Sequence, residues 1–236
     1  MIKTVTKLLD DHLILKEQEK QKEFAKEKSM WRASSMGQCY RKRYWDRKGE
    51  EKQPFDNRIL RVFEVGNILH IYLQKLLKDE GELVSAEEVV ENGVVRGHID
   101  AIVRGDKGYI IYDFKTVHSR KFSYLKKGAD DHYIKQLMTY TMLAKKKYKN
   151  IQDSRLLYIS KDDLRMQEMS YQLSDFIENE IKQELADLEN YWKCNQLPPA
   201  KSKEKWECGW CNYTQCENNK LKKKNANTSK KNHRKK

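Results

Sequence analysis

Two turn signals, Asn92-Gly93 and Gly105-Asp106, cut the stretch from Leu83 to Thr116 into three β-rich runs. Asn-Gly and Gly-Asp pairs readily adopt the positive φ that tight hairpins need. The runs 83–91, 94–104 and 108–116 are therefore expected to form three consecutive antiparallel strands. Helical patterns flank this meander on both sides. A polar helix is expected over 5–29, a second over 38–47 with Ser34 and Ser35 available to cap it, and a long amphipathic one over 59–77. In the last, Leu60, Phe63, Ile68, Leu73 and Leu76 fall near one stripe, and Gly81 closes it. Downstream come a helix over 131–147, strands over 155–160 and 165–173, and a helix capped by Ser174 that runs to about Asn195 and stops before Pro198-Pro199. The order gives one sheet with flanking helices, an α/β or α+β architecture with no internal repeat.

Two of the strands carry acids near their ends. The second contains Gly97-His98-Ile99-Asp100 and the third ends Asp113-Phe114-Lys115. Side chains two apart on a strand share a face, so Asp113 and Lys115 point together while Phe114 points away. Two carboxylates able to share a divalent metal, with a lysine beside them, are the minimum kit for metal-assisted phosphodiester cleavage. An acid-x-Lys triplet is by itself common here, starting at Asp46, Glu50, Asp113 and Glu180. Asp113 differs because an apolar, aromatic run precedes it, whereas the other three sit in polar helical stretches. His98 is read as facing away from Asp100 and as structural. His118 and His132 receive no role.

Charge supports an acidic partner. The net charge is +13, unevenly spread: residues 217–236 hold nine Lys or Arg against one Glu. Such a tail buries almost nothing and is expected to be disordered, either a phosphate-binding arm or a solubilising end. No run of 18 apolar residues exists, so no membrane span is expected, and Met1 to Asp11 lacks the apolar centre of a secretory signal; a cytoplasmic protein follows. Five cysteines are present, with Cys208, Cys211 and Cys216 spaced Cys-x2-Cys-x4-Cys. Thiols this close in a cytosolic chain point to metal. Three thiolates leave a four-coordinate site incomplete, and Cys39, Cys194 or a histidine must supply the fourth ligand. All-thiolate ligation suits zinc or an iron–sulfur cluster, and the donor set does not separate them. Cys194 reads as an ordinary helix-end cysteine.

Taken in order, these motifs resemble those of RecB-type nucleases of the PD-(D/E)XK superfamily. The resemblance is to the branch with an iron–sulfur cluster, which includes the CRISPR-associated adaptation exonuclease (the fourth Cas protein), viral relatives and the AddB nuclease domain. It is carried by Ser34-Ser35-Met36-Gly37-Gln38-Cys39 with Arg41 and Tyr44, by Gly66-x3-His70, by Gly97-His98-Ile99-Asp100, by Asp113-Phe114-Lys115, by Gln136-Leu137-Met138-Thr139-Tyr140, and by Cys208, Cys211 and Cys216. It spans roughly residues 31–216. The second acid is Asp where many relatives have Glu, and Cys194 is extra.

The resemblance implies a restriction-endonuclease-like core, a mixed central sheet flanked by helices, with a C-terminal cysteine-cluster appendage. The polar helix would occupy 1–30, the nuclease core 31–197, the cysteine cluster 198–216 and the disordered basic tail 217–236. Mg2+ or Mn2+ would be held by His70, Asp100, Asp113 and the Phe114 backbone carbonyl. Lys115 would stabilise developing charge, with Gln136 and Tyr140 holding Lys115 or the DNA strand. Cys39, Cys208, Cys211 and Cys216 would bind a 4Fe-4S cluster, zinc being the alternative. The activity implied is a metal-dependent DNA exonuclease acting on single-stranded ends, with CRISPR-adaptation or recombination proteins as partners. Two other readings stay open: a structure-specific or nicking endonuclease of the same fold, and a non-catalytic nucleic-acid-binding module with zinc on the cysteines.

Overall fold

The computed structural model describes residues 4–26, 29–200 and 207–219. The basic tail from residue 220 onward lies outside the described residues. Element order is α1 (Val5–Lys26), β1 (Trp31–Arg32), α2 (Tyr40–Lys48), α3 (Asn57–Asp79), β2 (Leu83–Glu91), β3 (Val95–Gly105), β4 (Gly108–Val117), α4 (Ser119–Ser123), α5 (Asp131–Ala144), β5 (Ile151–Ser160), β6 (Met166–Tyr171), α6 (Asp175–Lys193) and α7 (Glu207–Trp210). The fold is α/β, a mixed six-stranded sheet flanked by helices. Among the described residues no helix is long and apolar enough to cross a membrane.

The expected meander is present. β2 and β3 pair antiparallel from Leu83↔Val103 to Glu91↔Arg96, and β3 and β4 from Ala101↔Tyr112 to Gly105↔Gly108. Gly93 takes φ +85° in the first turn, the conformation that favours glycine there. β4 then pairs parallel with β5 along Tyr109–Val117, and β6 closes the far edge antiparallel. A parallel pair needs a crossover, which α4 and α5 supply.

Alternation along the strands builds two cores. One face carries Ile99, Ile111, Leu156 and Tyr158 against Leu137 of α5 and Ile181 and Leu188 of α6, with Tyr44 of α2 and Trp31 of β1 joining. The other carries Val103, Ile110, Phe114, Leu157 and Ile159 beneath Leu73 of α3. α1 lies on α3, where Leu13 is buried and Asp10 and Lys16 meet Arg61 and Glu64.

Three local expectations are corrected. Cys39, not Ser34 or Ser35, stands at the N-cap of α2, and it makes no side-chain cap; Ser35 lies in a 3-10 turn, its hydroxyl donating to the Arg32 carbonyl at 2.8 Å. The stripe on α3 is buried only at Leu60 and Leu73, while Phe63, Ile68 and Leu76 are 45%, 57% and 42% exposed. His70 and Gln74 take inward positions toward Asp100, so the inward face of α3 is shared between apolar packing and polar contacts. Finally, β1 is a two-residue strand that the sequence reading omitted.

Candidate active site

Where β3 and β4 part, the acids meet. On one edge of β3, β1 pairs at Val95 and Arg96 and β4 at Ala101 to Gly105, leaving residues 97–100 without a ladder partner on that side among the described residues. The ladder ends at Ala101↔Tyr112, so the next residue on each strand is Asp100 and Asp113. Instead of a β-bridge, the Phe114 N–H donates to Asp100 Oδ2 at 2.5 Å. That bond aims the Asp100 carboxylate across the gap. His70 comes in from α3, its Nδ1 3.6 Å from Asp100 Oδ1 and its ring edge-on to Phe114. The Gln74 side chain, one turn on, donates to the Asp100 carbonyl at 2.9 Å.

Helix α5 closes the site from the other face. Gln136 and Tyr140 are one helical turn apart, and the Gln136 amide donates to both Asp113 Oδ1 and the Tyr140 hydroxyl at 2.9 Å. Gln136 Oε1 accepts from Lys115 Nζ at 3.3 Å, so one side chain grips both Asp113 and Lys115. The Lys115 ammonium lies 2.5 Å from Asp113 Oδ2 and 4.7 Å over the Tyr133 ring. Gly97 makes room for this layer. A Cβ there would fall 2.3 Å from Tyr140 and 2.8 Å from Ala33. Gly66 does the same for α3, where a Cβ would lie 2.9 Å from Thr116 Oγ1.

The electrostatics follow from burial. Asp113 is 1% exposed, and burial pushes its carboxyl up to about 6; the Asp100 charge adds to this and the Lys115 ammonium opposes it. Burial also acts to lower the Lys115 pKa, but the Asp113 and Asp100 charges outweigh it and the net shift is upward. His70 behaves similarly, burial lowering and Asp100 raising, with a net rise.

As the side chains stand, no three His, Cys, Asp or Glu among the described residues converge to hold an ion. The reason is visible: Lys115 lies against Asp113, and Asp100 holds the Phe114 amide. The donor chemistry nevertheless fits a hard divalent cation. Asp113 Oδ2 is buried with the Lys115 ammonium as its near neighbour, and Asp100 Oδ1 faces an imidazole.

The cysteines of the second constellation gather around one cavity without closing on an ion as the side chains stand. Cys39, Cys208, Cys211 and Cys216 line one small cavity between the N-terminus of α2 and the C-terminal segment. Burial raises the Cys39 and Cys211 thiols. The Cys39 N–H donates to Glu207 at 2.7 Å, and Tyr213 packs on Trp45 and donates to Asp46 at 2.9 Å. Four thiols from two distant parts of the chain fit thiolate ligation by a cluster or by zinc. Cys194 is exposed at the end of α6 and does not line that cavity.

The structure thus brings His70, Asp100, Asp113, Lys115, Gln136 and Tyr140 together beside the Phe114 peptide, and the four cysteines elsewhere. His98 corrects one reading. Residues 98 and 100 are two apart and share a face, and His98 is exposed on it rather than structural. Sequence reasoning missed Tyr133 and Gln74. Tyr133 stands three residues before Gln136 on one helical face, a spacing that would have found it.

The family model described as the PD-(D/E)XK nuclease superfamily matches residues 7–216. No curated protein sequence matches the chain. Among solved structures, that of SSO0001 is similar with a TM-score of 0.60 and 21% identity, covering 90% of this chain and 97% of its own. The alkaline exonuclease LHK-Exo of Laribacter hongkongensis is similar with a TM-score of 0.54 and 15% identity, covering 74% of this chain and 93% of its own. A complex of LHK-Exo with dAMP matches with the same TM-score and identity.

Proposed function

We propose that this chain, which belongs to the PD-(D/E)XK nuclease superfamily, is a divalent-metal-dependent deoxyribonuclease that hydrolyses phosphodiester bonds at single-stranded DNA ends. It is of the RecB-like type with a structural 4Fe-4S cluster. The observation that carries this reading is the parting of β3 and β4 at Asp100 and Asp113, with Lys115 held beside them by Gln136. The fold shared with an alkaline exonuclease supports the preference for ends.

His70, Asp100, Asp113 and the Phe114 carbonyl would hold Mg2+ or Mn2+. When bound, the ion supplies Lewis acidity to the scissile phosphate and lowers the pKa of a water. The remaining work belongs to the protein. Lys115 brings a positive charge to where the phosphate gains negative charge, in a site screened from bulk water by Tyr133 and Tyr140. Gln136 fixes the ammonium relative to Asp113, and Tyr140 fixes Gln136. The Phe114 amide orients Asp100. Cys39, Cys208, Cys211 and Cys216 would hold the cluster and fasten α2 to the C-terminal segment. On this reading the protein acts in the cytoplasm, in CRISPR adaptation, phage recombination or DNA repair.

Lys115→Ala tests the site. With Mg2+ or Mn2+ and a single-stranded oligonucleotide, cleavage should fall by roughly 10²–10³-fold or more while binding changes little. An undiminished rate would remove Lys115 from the chemistry. End-labelled linear DNA against covalently closed circles tests the exonuclease mode, and cutting of circles would replace it with an endonuclease. Protein purified without oxygen should be brown, with iron and sulfide in equal amounts; a colourless, zinc-loaded protein would replace the cluster.

A further inference from the structure

A cleft of about 570 Å3 opens beside the carboxylates, on the α3 side of the sheet. Its floor is the carboxyl-terminal end of the parallel pair β4–β5, and its walls are α3 and α1. His70 lines its inner end, and Leu13 and Phe63 line its outer part. Lys161 is the first residue past the last β4–β5 pair, Val117↔Ser160, and its N–H donates to the Val117 carbonyl at 2.7 Å. From there its side chain reaches α3, where Nζ donates to the Val62 carbonyl at 2.9 Å. This puts the ammonium beside Gly66, where a Cβ would lie 3.9 Å from Lys161 Nζ, an ordinary contact. Gly66 stands one helical turn before His70, so the ammonium sits within about a turn of the imidazole.

Carboxylates near this cation, Asp162 and the cleft-lining Glu17 and Glu64, make no ion-pair contact with it. Lys16 in the same cleft is paired with Glu64 at 2.8 Å. Asp162, next in sequence, turns away to accept the Ser119 N–H at 2.6 Å. Among the described residues no carboxylate pairs with Lys161. A lysine ammonium has three donors, and the Val62 carbonyl uses one. A tethered ammonium with donors to spare, at the mouth of a site that handles phosphodiesters, is matched by a phosphate oxygen.

We propose that Lys161 binds a backbone phosphate adjoining the scissile one, so that the edge between α3 and β5 seats the nucleic-acid strand leading into the site. This rests on the nuclease reading above. The alternative role for Lys161 is a structural clamp on the Val62 carbonyl.

Lys161→Gln separates the two roles, because an amide still donates to the carbonyl but carries no charge. Binding of a single-stranded oligonucleotide is measured in EDTA across a salt series, and turnover is measured with Mn2+. Lys161→Gln should raise Kd about five- to tenfold at 0.1 M salt and shrink the salt slope by about 0.7, the signature of one lost phosphate contact. KM should rise in step while kcat stays within about threefold. Lys161→Arg should restore both. Where Lys161→Gln loosens α3 and lowers Tm, Lys161→Met, which keeps the apolar stem, gives the same readouts. A parent that cleaves, alongside a charge-free variant with the parental Kd and salt slope, overturns the phosphate contact and leaves the nuclease reading standing. A parent that neither binds nor cleaves overturns both.

Discussion

Gln136 meets Lys115 and Asp113 with the two ends of one amide, so the catalytic geometry depends on a side chain that performs no chemistry. Gln136→Ala should cut kcat by about 10–10²-fold, less than Lys115→Ala, because misplacing a positioned group costs less than deleting it. Comparison of single-turnover rates checks this. Asp113 sets a pH dependence. Its folded-state carboxyl is raised to about 6, so the proton it holds stabilises the metal-free protein fully below the ordinary carboxylate value, and that contribution is lost as pH rises through about 6. A protonated carboxyl cannot ligate. His70, raised above its ordinary value, must also lose its proton to ligate, so Mn2+ affinity should level off only above the imidazole's raised range and fall below it by up to tenfold per unit for each proton displaced, as calorimetric titration would record. Much of this site was legible in the sequence, because it follows from two periodicities. Alternation by two put Asp113 and Lys115 together, and spacing by four put Gln136 and Tyr140 together. What stayed illegible arises from contacts between elements: Gln74 reaching Asp100, and Lys161 reaching Val62.

At the scale of elements, the turns were the reliable signal. Asn92-Gly93 and Gly105-Asp106 fixed the meander to within a residue or two; at Gly93 the reason is a positive φ, a local demand that few residues meet, whereas Gly105 and Asp106 turn the chain without one. The parallel partnership of β4 and β5 was not legible, since nothing in either run names its partner across an intervening helix. β1 was too short to show any period. The inward face of α3 misled for a different reason: it is shared between packing and the site, so hydrophobicity alone does not mark it. Gly97 shows how one element constrains another. Gly97→Ala would drive a methyl to 2.3 Å from the Tyr140 ring, and overpacking of this kind costs about 1–3 kcal/mol. Because Tyr140 orients Gln136, activity should fall further than the melting temperature alone accounts for. Thermal unfolding and rate measured on the same sample test this.

Across the whole molecule, one buried ion network ties the layers. Glu184 of α6 pairs with the Arg43 guanidinium of α2, meets Lys135 of α5 at 3.2 Å, and accepts the Gly37 N–H at 2.7 Å. Burial works to raise the Glu184 carboxyl, but these partners outweigh it and hold it below the usual carboxylate range. The sign follows: its stabilisation is complete above the unfolded carboxylate value and is lost as acid passes through the depressed one. Glu184→Gln would leave Arg43 buried without its counter-charge and should cost about 3–5 kcal/mol near neutral pH, with a smaller cost in acid. Urea midpoints at pH 7 and pH 3 would show it. The lysine of that network neighbours Gln136 in sequence, so the same variant should also disturb cleavage. The C-terminal segment brings a last consequence. Trp45 and Cys39 are covered by Tyr213 and Glu207, which the ribosome makes some 170 residues later. At translation speeds of about 5–20 residues per second, the aromatic face of α2 waits roughly ten to thirty seconds for its cover. A nascent chain stalled in that interval would present that face to chaperones, and a premature stop near the end would never hide it.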